Sequence, residues 1–222
     1  LACCHSITRV NHKLIGDPID VKMFESCGWI LTENDNDDLI STYVRPKQEK
    51  DLQTKLEELD EDDDDEELII SSHYEIGLVK CFDFSSQLQR MSVVCKNSNE
   101  KYFKVFVKGS PEKIKELCKQ ESIPEDFDDI LNDYTLKGYR VLALACKMLK
   151  MDFLQCQKLS RDKAESNLIF LGLLIVRNKL KSQTIPSINE LSKAKLRMVM
   201  ATGDNILTAI AVSKECKLIN PD

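Results

Sequence analysis

The chain has 222 residues, 42 % hydrophobic and 31 % charged, with a formal net charge of −6 at neutral pH. That mix builds a sizeable soluble core, in one large domain or one and a half smaller ones. It lacks the blanket basic surface that a phosphate backbone demands, which argues against nucleic acid as the main partner. No apolar run approaches the roughly 18 residues of a membrane-crossing helix; the longest is Leu168 to Val176.

The chain opens Leu1-Ala-Cys-Cys-His5, with no initiator Met and no basic segment of a signal peptide, so a piece of a longer protein is expected. Residues 1–31 read as structured and helical. Asp17-Pro18 marks a helix start, and Ile19, Met23 and Phe24 form its buried stripe. Residues 33–67 are acidic and polar, with ten of the eleven positions Glu57 to Glu67 occupied by Asp or Glu. They read as a flexible, solvated insertion.

Strand-like content follows at 78–84 and 91–95, joined by a hairpin over Ser85–Arg90. Residues 101–107 alternate, with Phe103, Val105 and Val107 on one face and Tyr102, Lys104 and Phe106 on the other. Lys108-Gly-Ser-Pro-Glu112 turns into a helix that Ser110 caps and Pro111 begins. Phe127 to Leu136 is an amphipathic helix ended by Gly138, and Arg140–Ala145 and Leu168–Val176 are buried strands. Strand follows strand without regular alternation with helices, which predicts an α+β fold, an antiparallel sheet flanked by helices. From Asn178 the pattern becomes helix (Ile185–Ala194), strand (Leu196–Met200), turn (Thr202–Asp204) and helix (Ile206–Leu218), half of a parallel α/β unit.

Nine cysteines, an odd number without a C-x-x-C pair, lie partly in apolar runs such as Leu142-Ala-Leu-Ala-Cys146. They read as reduced small hydrophobes in a cytosolic compartment. A zinc site at Cys3, Cys4 and His5 is the alternative, but structural zinc usually takes two spaced ligand pairs. No metal-ligating residues are assigned.

The run Met198-Val-Met-Ala-Thr-Gly-Asp-Asn205 ends a strand pattern at a small turn before a helix. Free N–H groups at such a helix start suit phosphate, and Asp204 adds a carboxylate able to work beside a metal ion. An ordinary turn with an N-capping Asp is the other reading. Four further motifs precede it: Gly16-Asp-Pro-Ile-Asp20, Phe82-Asp-Phe-Ser85 with Arg90-Met-Ser-Val93, Lys108-Gly-Ser-Pro-Glu112, and Gly138-Tyr-Arg-Val-Leu-Ala-Leu-Ala145. Together, in this order, they resemble the nucleotide-binding domain of a P-type ATPase followed by the start of its phosphorylation domain. Cys4-His-Ser6, Asp20-x-Lys-Met-Phe-Glu25, Gly28-Trp29, Phe84–Val93 and Asn178-Lys-Leu-Lys181 resemble the P5 group, most of all P5B, whose members are endolysosomal pumps for polyamines or other cations.

The chemistry of each motif agrees with nucleotide binding. An adenine ring needs a flat partner; Phe84 is assigned that platform and Phe82 the core, on opposite sides of their strand. Lys108 stops at Gly109, where an ammonium reaches into a cleft, although a solvated turn lysine is the commoner case. The resemblance implies that Lys108 lines the adenosine pocket, that Gly109 allows close approach of the nucleotide, and that Arg140 holds its phosphates as a planar fork. It places Asp17 and Asp20 near the nucleotide, with helix capping and dipole pairing as the plain alternative, and Arg90 at the pocket edge or on plain surface.

The resemblance further implies that Thr202, Gly203 and Asp204 support phosphoryl transfer beside Mg²⁺. The resemblance assigns residues 1–177 to the nucleotide-binding domain, with the insertion at 33–67. It assigns 178–222 to the hinge and the first part of a haloacid-dehalogenase-like phosphorylation domain. The family's nucleophile, the Asp of Asp-Lys-Thr-Gly-Thr, is absent here and would lie just before residue 1 of this chain.

The implied function is to bind ATP and deliver its γ-phosphate to that Asp, with the actuator, phosphorylation and transmembrane domains as partners in an endomembrane pump. This segment would lie on the cytosolic side and be inactive alone. The alternative is a stand-alone nucleotide-binding or interaction protein without catalytic activity. A soluble phosphatase would need an Asp nucleophile that nothing here supplies.

Overall fold

A short hairpin of β1 (Thr8–Val10) and β2 (Lys13–Ile15) leads into helix α1 (Pro18–Cys27). Then seven strands lie side by side in the order in which the chain makes them. They are β3 (Trp29–Glu33), β4 (Thr42–Pro46), β5 (Ile76–Ser85), β6 (Arg90–Asn97), β7 (Phe103–Gly109), β8 (Arg140–Leu149) and β9 (Ile169–Val176), each antiparallel to its neighbours. Helices α2 (Pro111–Leu117) and α3 (Phe127–Leu136) connect β7 to β8; the short α4 (Phe153–Gln157) and α5 (Arg161–Ala164) connect β8 to β9. After the sheet come α6 (Thr184–Lys193) and α7 (Ile206–Glu215). The computed structural model describes residues 1–11, 13–33, 40, 42–47, 75–97, 99–177, 180–203 and 205–219. The α+β class with an antiparallel, helix-flanked sheet is what the sequence pattern predicts.

The sheet is covered on both faces. In β6, Met91, Val93 and Cys95 join Cys4, Ile7, Phe24, Leu31 and Val44 in one core, while Val94 joins the opposite core. In β7, Phe103, Val105 and Val107 pack with Ile114 of α2, Ala143 and Ala145 of β8, and Leu168. Period-two alternation thus serves two cores at once. Ile114 is fully buried, which is how α2 is held down. Two lysines fasten the short helices below: Lys80 Nζ donates to the carbonyls of Gln157 (2.6 Å) and Leu159 (2.9 Å), and Lys147 Nζ to those of Lys163 and Ser166 (both 2.7 Å). Each meets the carbonyl end of its helix, where a cation is favoured.

Local chemistry places the helix ends as expected. Asp17 accepts from the N–H of Ile19 (2.8 Å) and Ser110 from that of Lys113 (3.3 Å), each followed by a proline in the first turn. Gly28 ends α1 in the left-handed region at φ 65°.

Four expectations need correction. Residues 1–31 are not chiefly helical: α1 is flanked by β1, β2 and β3. Strand β4 lies inside the interval 33–67 read as a flexible insertion. Val44 on it is fully buried, while the acidic run itself lies outside the described residues. The strand expected at Leu196–Met200 has no ladder, and Val199 is 76 % exposed; a parallel strand needs a neighbour to bond to. Finally, regular alternation would send Phe82 and Phe84 to the same side. They differ because β5 bulges between the pairs Phe82↔Ser92 and Ser85↔Arg90. Phe82 packs on the core and Phe84 is 61 % exposed.

His5 belongs to the buried layer beneath α1. Its Nε2 pairs with the carbonyl of Ala2 (2.8 Å), its Nδ1 accepts the N–H of Ile7 (3.2 Å), and its ring stands edge-on to Phe24. Both ring nitrogens are used by backbone, so the zinc reading of Cys3, Cys4 and His5 finds no free imidazole. Burial lowers the His5 pKa from 6.5 to about 4. The fold therefore holds the neutral ring, and its contribution is full above about pH 6.5 and lost as pH falls towards 4. Urea unfolding of the chain is expected to show stability declining across that window. His5→Gln should have a visibly flatter pH dependence there; an identical slope would show that His5 does not titrate on unfolding.

Candidate functional site

Two adjoining cavities open where β7 ends. The smaller, of about 140 Å³, is lined by residues including Asp17, Asp20, Phe84, Lys108, Gly109 and Arg140. The larger, of about 360 Å³, shares Phe84, Gly109, Arg140 and Leu142 with it and continues along Ser110, Glu112 and Thr135 towards Asn205 and Thr208. Four elements converge here for local reasons. The proline-started α1 brings Asp17 and Asp20, and the β5 bulge leaves Phe84 in the open. Strand β7 ends at Lys108-Gly109 because Ser110 caps a helix. Gly138, at φ 79°, reverses the chain after α3 so that β8 begins at Arg140.

Lys108 and Asp20 form an ion pair between β7 and α1, with side chains only 7 % and 9 % exposed. An ammonium at such a place needs a carboxylate partner. Cys4 shares this layer: its thiol faces the carbonyl of Phe106 at 3.4 Å, and burial pushes its pKa up to about 12, so it stays a neutral hydrophobe. Asp17 caps α1 and also lines the smaller cavity.

Gly109 is at the site for a reason the resemblance did not give. A Cβ there would lie 2.5 Å from the Gln89 carbonyl oxygen and 2.6 Å from Arg90 Cβ. The close approach that requires glycine is to β6, whether or not a ligand is bound.

Arg90 lines neither cavity. Its Nε donates to Glu165 Oε2 at 2.5 Å and its Nη1 to the Leu88 carbonyl at 3.3 Å. Glu165 is wholly buried and also accepts from Ser92 Oγ (2.7 Å) and Arg161 Nε (2.9 Å). Sequence reading missed this carboxylate. Arg161 and Glu165 at i, i+4 are visible as a helical pair, but the spacing alone looks like a solvent-exposed one. Gln89, Glu112 and Thr208 were missed as cavity residues too.

The C-terminal turn reaches the larger cavity in part. Gly203 lines it; Thr202 is exposed and does not; Asp204 lies outside the described residues. The cap of α7 is Asn205, which accepts from the Leu207 N–H (2.9 Å) and reaches Glu112 Oε1 at 3.5 Å. Thr208 Oγ1 donates to the Tyr139 carbonyl (3.0 Å), next to Arg140. Among the described residues no three His, Cys, Asp or Glu side chains gather to hold a metal, and no helix is long and apolar enough to cross a membrane.

Removing one member of a buried pair strands the other. Asp20→Asn is expected to lower unfolding stability by about 3 kcal/mol. The double variant Asp20→Leu/Lys108→Met, which removes both charges, should recover most of it in urea unfolding. Equal losses in the single and double variants would contradict the pairing.

The family model described as "P-type ATPase, cytoplasmic domain N" matches residues 66–183. Curated relatives match the chain from end to end. Polyamine-transporting ATPase 13A3 of Mus musculus is 44 % identical over 100 % of this chain and 18 % of its own length. The human polyamine-transporting ATPase 13A2 is 40 % identical over 100 % and 18 %. The vacuolar cation-transporting ATPase YPK9 of Saccharomyces cerevisiae is 40 % identical over 99 % and 16 %. The chain thus spans less than a fifth of the length of these relatives. It belongs to the P-type ATPase family, with the cytoplasmic N domain matched over residues 66–183 and relatives of the P5B group matching the whole chain.

Proposed function

We propose that this chain is the ATP-binding portion of a P5-type cation-transporting ATPase, on the cytosolic side of an endomembrane. The reading rests on one observation: Phe84, Lys108, Gly109 and Arg140 meet Asp17 and Asp20 around a single cavity, although the chain separates them by up to 123 positions (140 − 17). Adenine would lie against Phe84 in the smaller cavity, where base stacking on an aromatic face contributes about 1–3 kcal/mol. Lys108 would present its ammonium with Asp20 holding it in place. Arg140, shared by both cavities, would then meet the phosphates with its fork of N–H donors.

The larger cavity leads from Arg140 past Gly203 and Asn205, so the triphosphate would point towards the Thr202–Asn205 turn. In the proposed reaction the γ-phosphate passes to an Asp outside this chain, and the transfer drives cation or polyamine movement across the membrane. Mg²⁺ would be carried on the oxygens of the triphosphate, with Thr202, Gly203 and Asp204 as supporting groups on the phosphorylation side. The chain's own part is binding and orientation, which convert a bimolecular encounter into an aligned one.

Calorimetric titration of the chain with ATP is expected to give saturable binding. Phe84→Ala should weaken it by about ten- to a hundredfold. Lys108→Ala should weaken ATP and AMP alike, whereas Arg140→Ala should weaken ATP much more than AMP. No saturable binding at millimolar ATP would sink the proposal.

A further inference from the structure

Phe84 can serve as a platform only if the β5 bulge stays open. Between the pairs Phe82↔Ser92 and Ser85↔Arg90, Asp83 and Phe84 stand opposite Met91 alone. A bulge of this kind re-aims a side chain at the expense of ladder bonds, and the freed backbone groups need partners. Arg161, on the first turn of α5, supplies them. Its Nη1 donates to the Asp83 carbonyl at 3.1 Å and its Nη2 to the Arg90 carbonyl at 2.7 Å, so one guanidinium clasps both strands across the bulge. Its remaining nitrogen, Nε, is anchored at 2.9 Å on Glu165. That carboxylate is itself fixed by Arg90 Nε and Ser92 Oγ from β6. Each of the three guanidinium nitrogens thus has a partner, and the carbonyl immediately before Phe84 is one of them.

We propose that Arg161 is a positioning residue for nucleotide recognition: it holds the bulge that aims Phe84 at the adenine, with Glu165 as its buried anchor. Arg161 lines neither cavity and would not touch the ligand. The inference rests on Phe84 being the adenine platform. A lysine cannot replace the arginine, because a single ammonium on a flexible stem has no planar fork to span two carbonyls while still meeting Glu165.

The test is a double-mutant cycle on the 222-residue chain, titrated with ATP and checked for cooperative unfolding. Arg161→Lys keeps the charge beside Glu165 and loses the fork. It is expected to raise the Kd for ATP by roughly tenfold, and to add nothing further in a Phe84→Ala background. A purely structural role would weaken binding by the same factor in both backgrounds, and that additivity would overturn the proposal. So would wild-type affinity in a folded Arg161→Lys chain. Should the lysine variant fail to unfold cooperatively, Arg161→Gln replaces it in the same cycle with the same two outcomes. Absence of ATP binding in the wild type, or full affinity in Phe84→Ala, removes the platform reading and the positioning role with it. A weakened Phe84→Ala beside an unaffected Arg161→Lys removes the positioning role alone.

Discussion

A charged group on a strand that is covered on both sides is the constraint around which the site is arranged. Strand β7 packs Phe103, Val105 and Val107 into one core and sets Phe106 against the other. Lys108 comes at its end and is 6 % exposed. Only a carboxylate brought from another layer lets an ammonium rest there. Asp20 is that carboxylate, and it fixes where α1 lies against the sheet. On that helix Phe24 packs in one core with Cys4 and meets His5 edge to face, all three buried. The same pair forms part of the cavity wall, so what places the helix also shapes the ligand side of the sheet.

Much of this was legible because local chemistry and tertiary packing agree. Alternation at Phe103, Val105 and Val107 and the Ser110-Pro111 helix start are short-range signals that the fold keeps unchanged. The cavity residues Phe84, Lys108, Gly109 and Arg140 were legible through their motif context, since each sits at or beside the end or start of a strand.

What was illegible depended on partners distant in the chain. The resemblance puts Arg90 at the pocket edge or on plain surface, yet the Glu165 carboxylate just after α5 holds it. Nothing in the i, i+4 spacing of Arg161 and Glu165 announces that Glu165 is buried against Ser92 of β6. Strand β4 was hidden by the acidic composition around it, although five residues pairing between β3 and β5 suffice for a strand. Leu196–Met200 shows the converse, an apolar run with strand composition and no neighbour to pair with among the described residues. The differing fates of Phe82 and Phe84 came from an inserted residue in the ladder, which no periodicity announces.

Because strand order in the sheet equals order in the chain, every ladder is closed between consecutive strands. Lengthening any one connection therefore disturbs no pairing except the one it closes. The stretch from Pro46 to Ile76, which carries the acidic run, joins two adjacent strands in just this way. A connection there closes only the β4–β5 pairing, and the ladders from β5 to β8 that carry the cavity are closed by other connections.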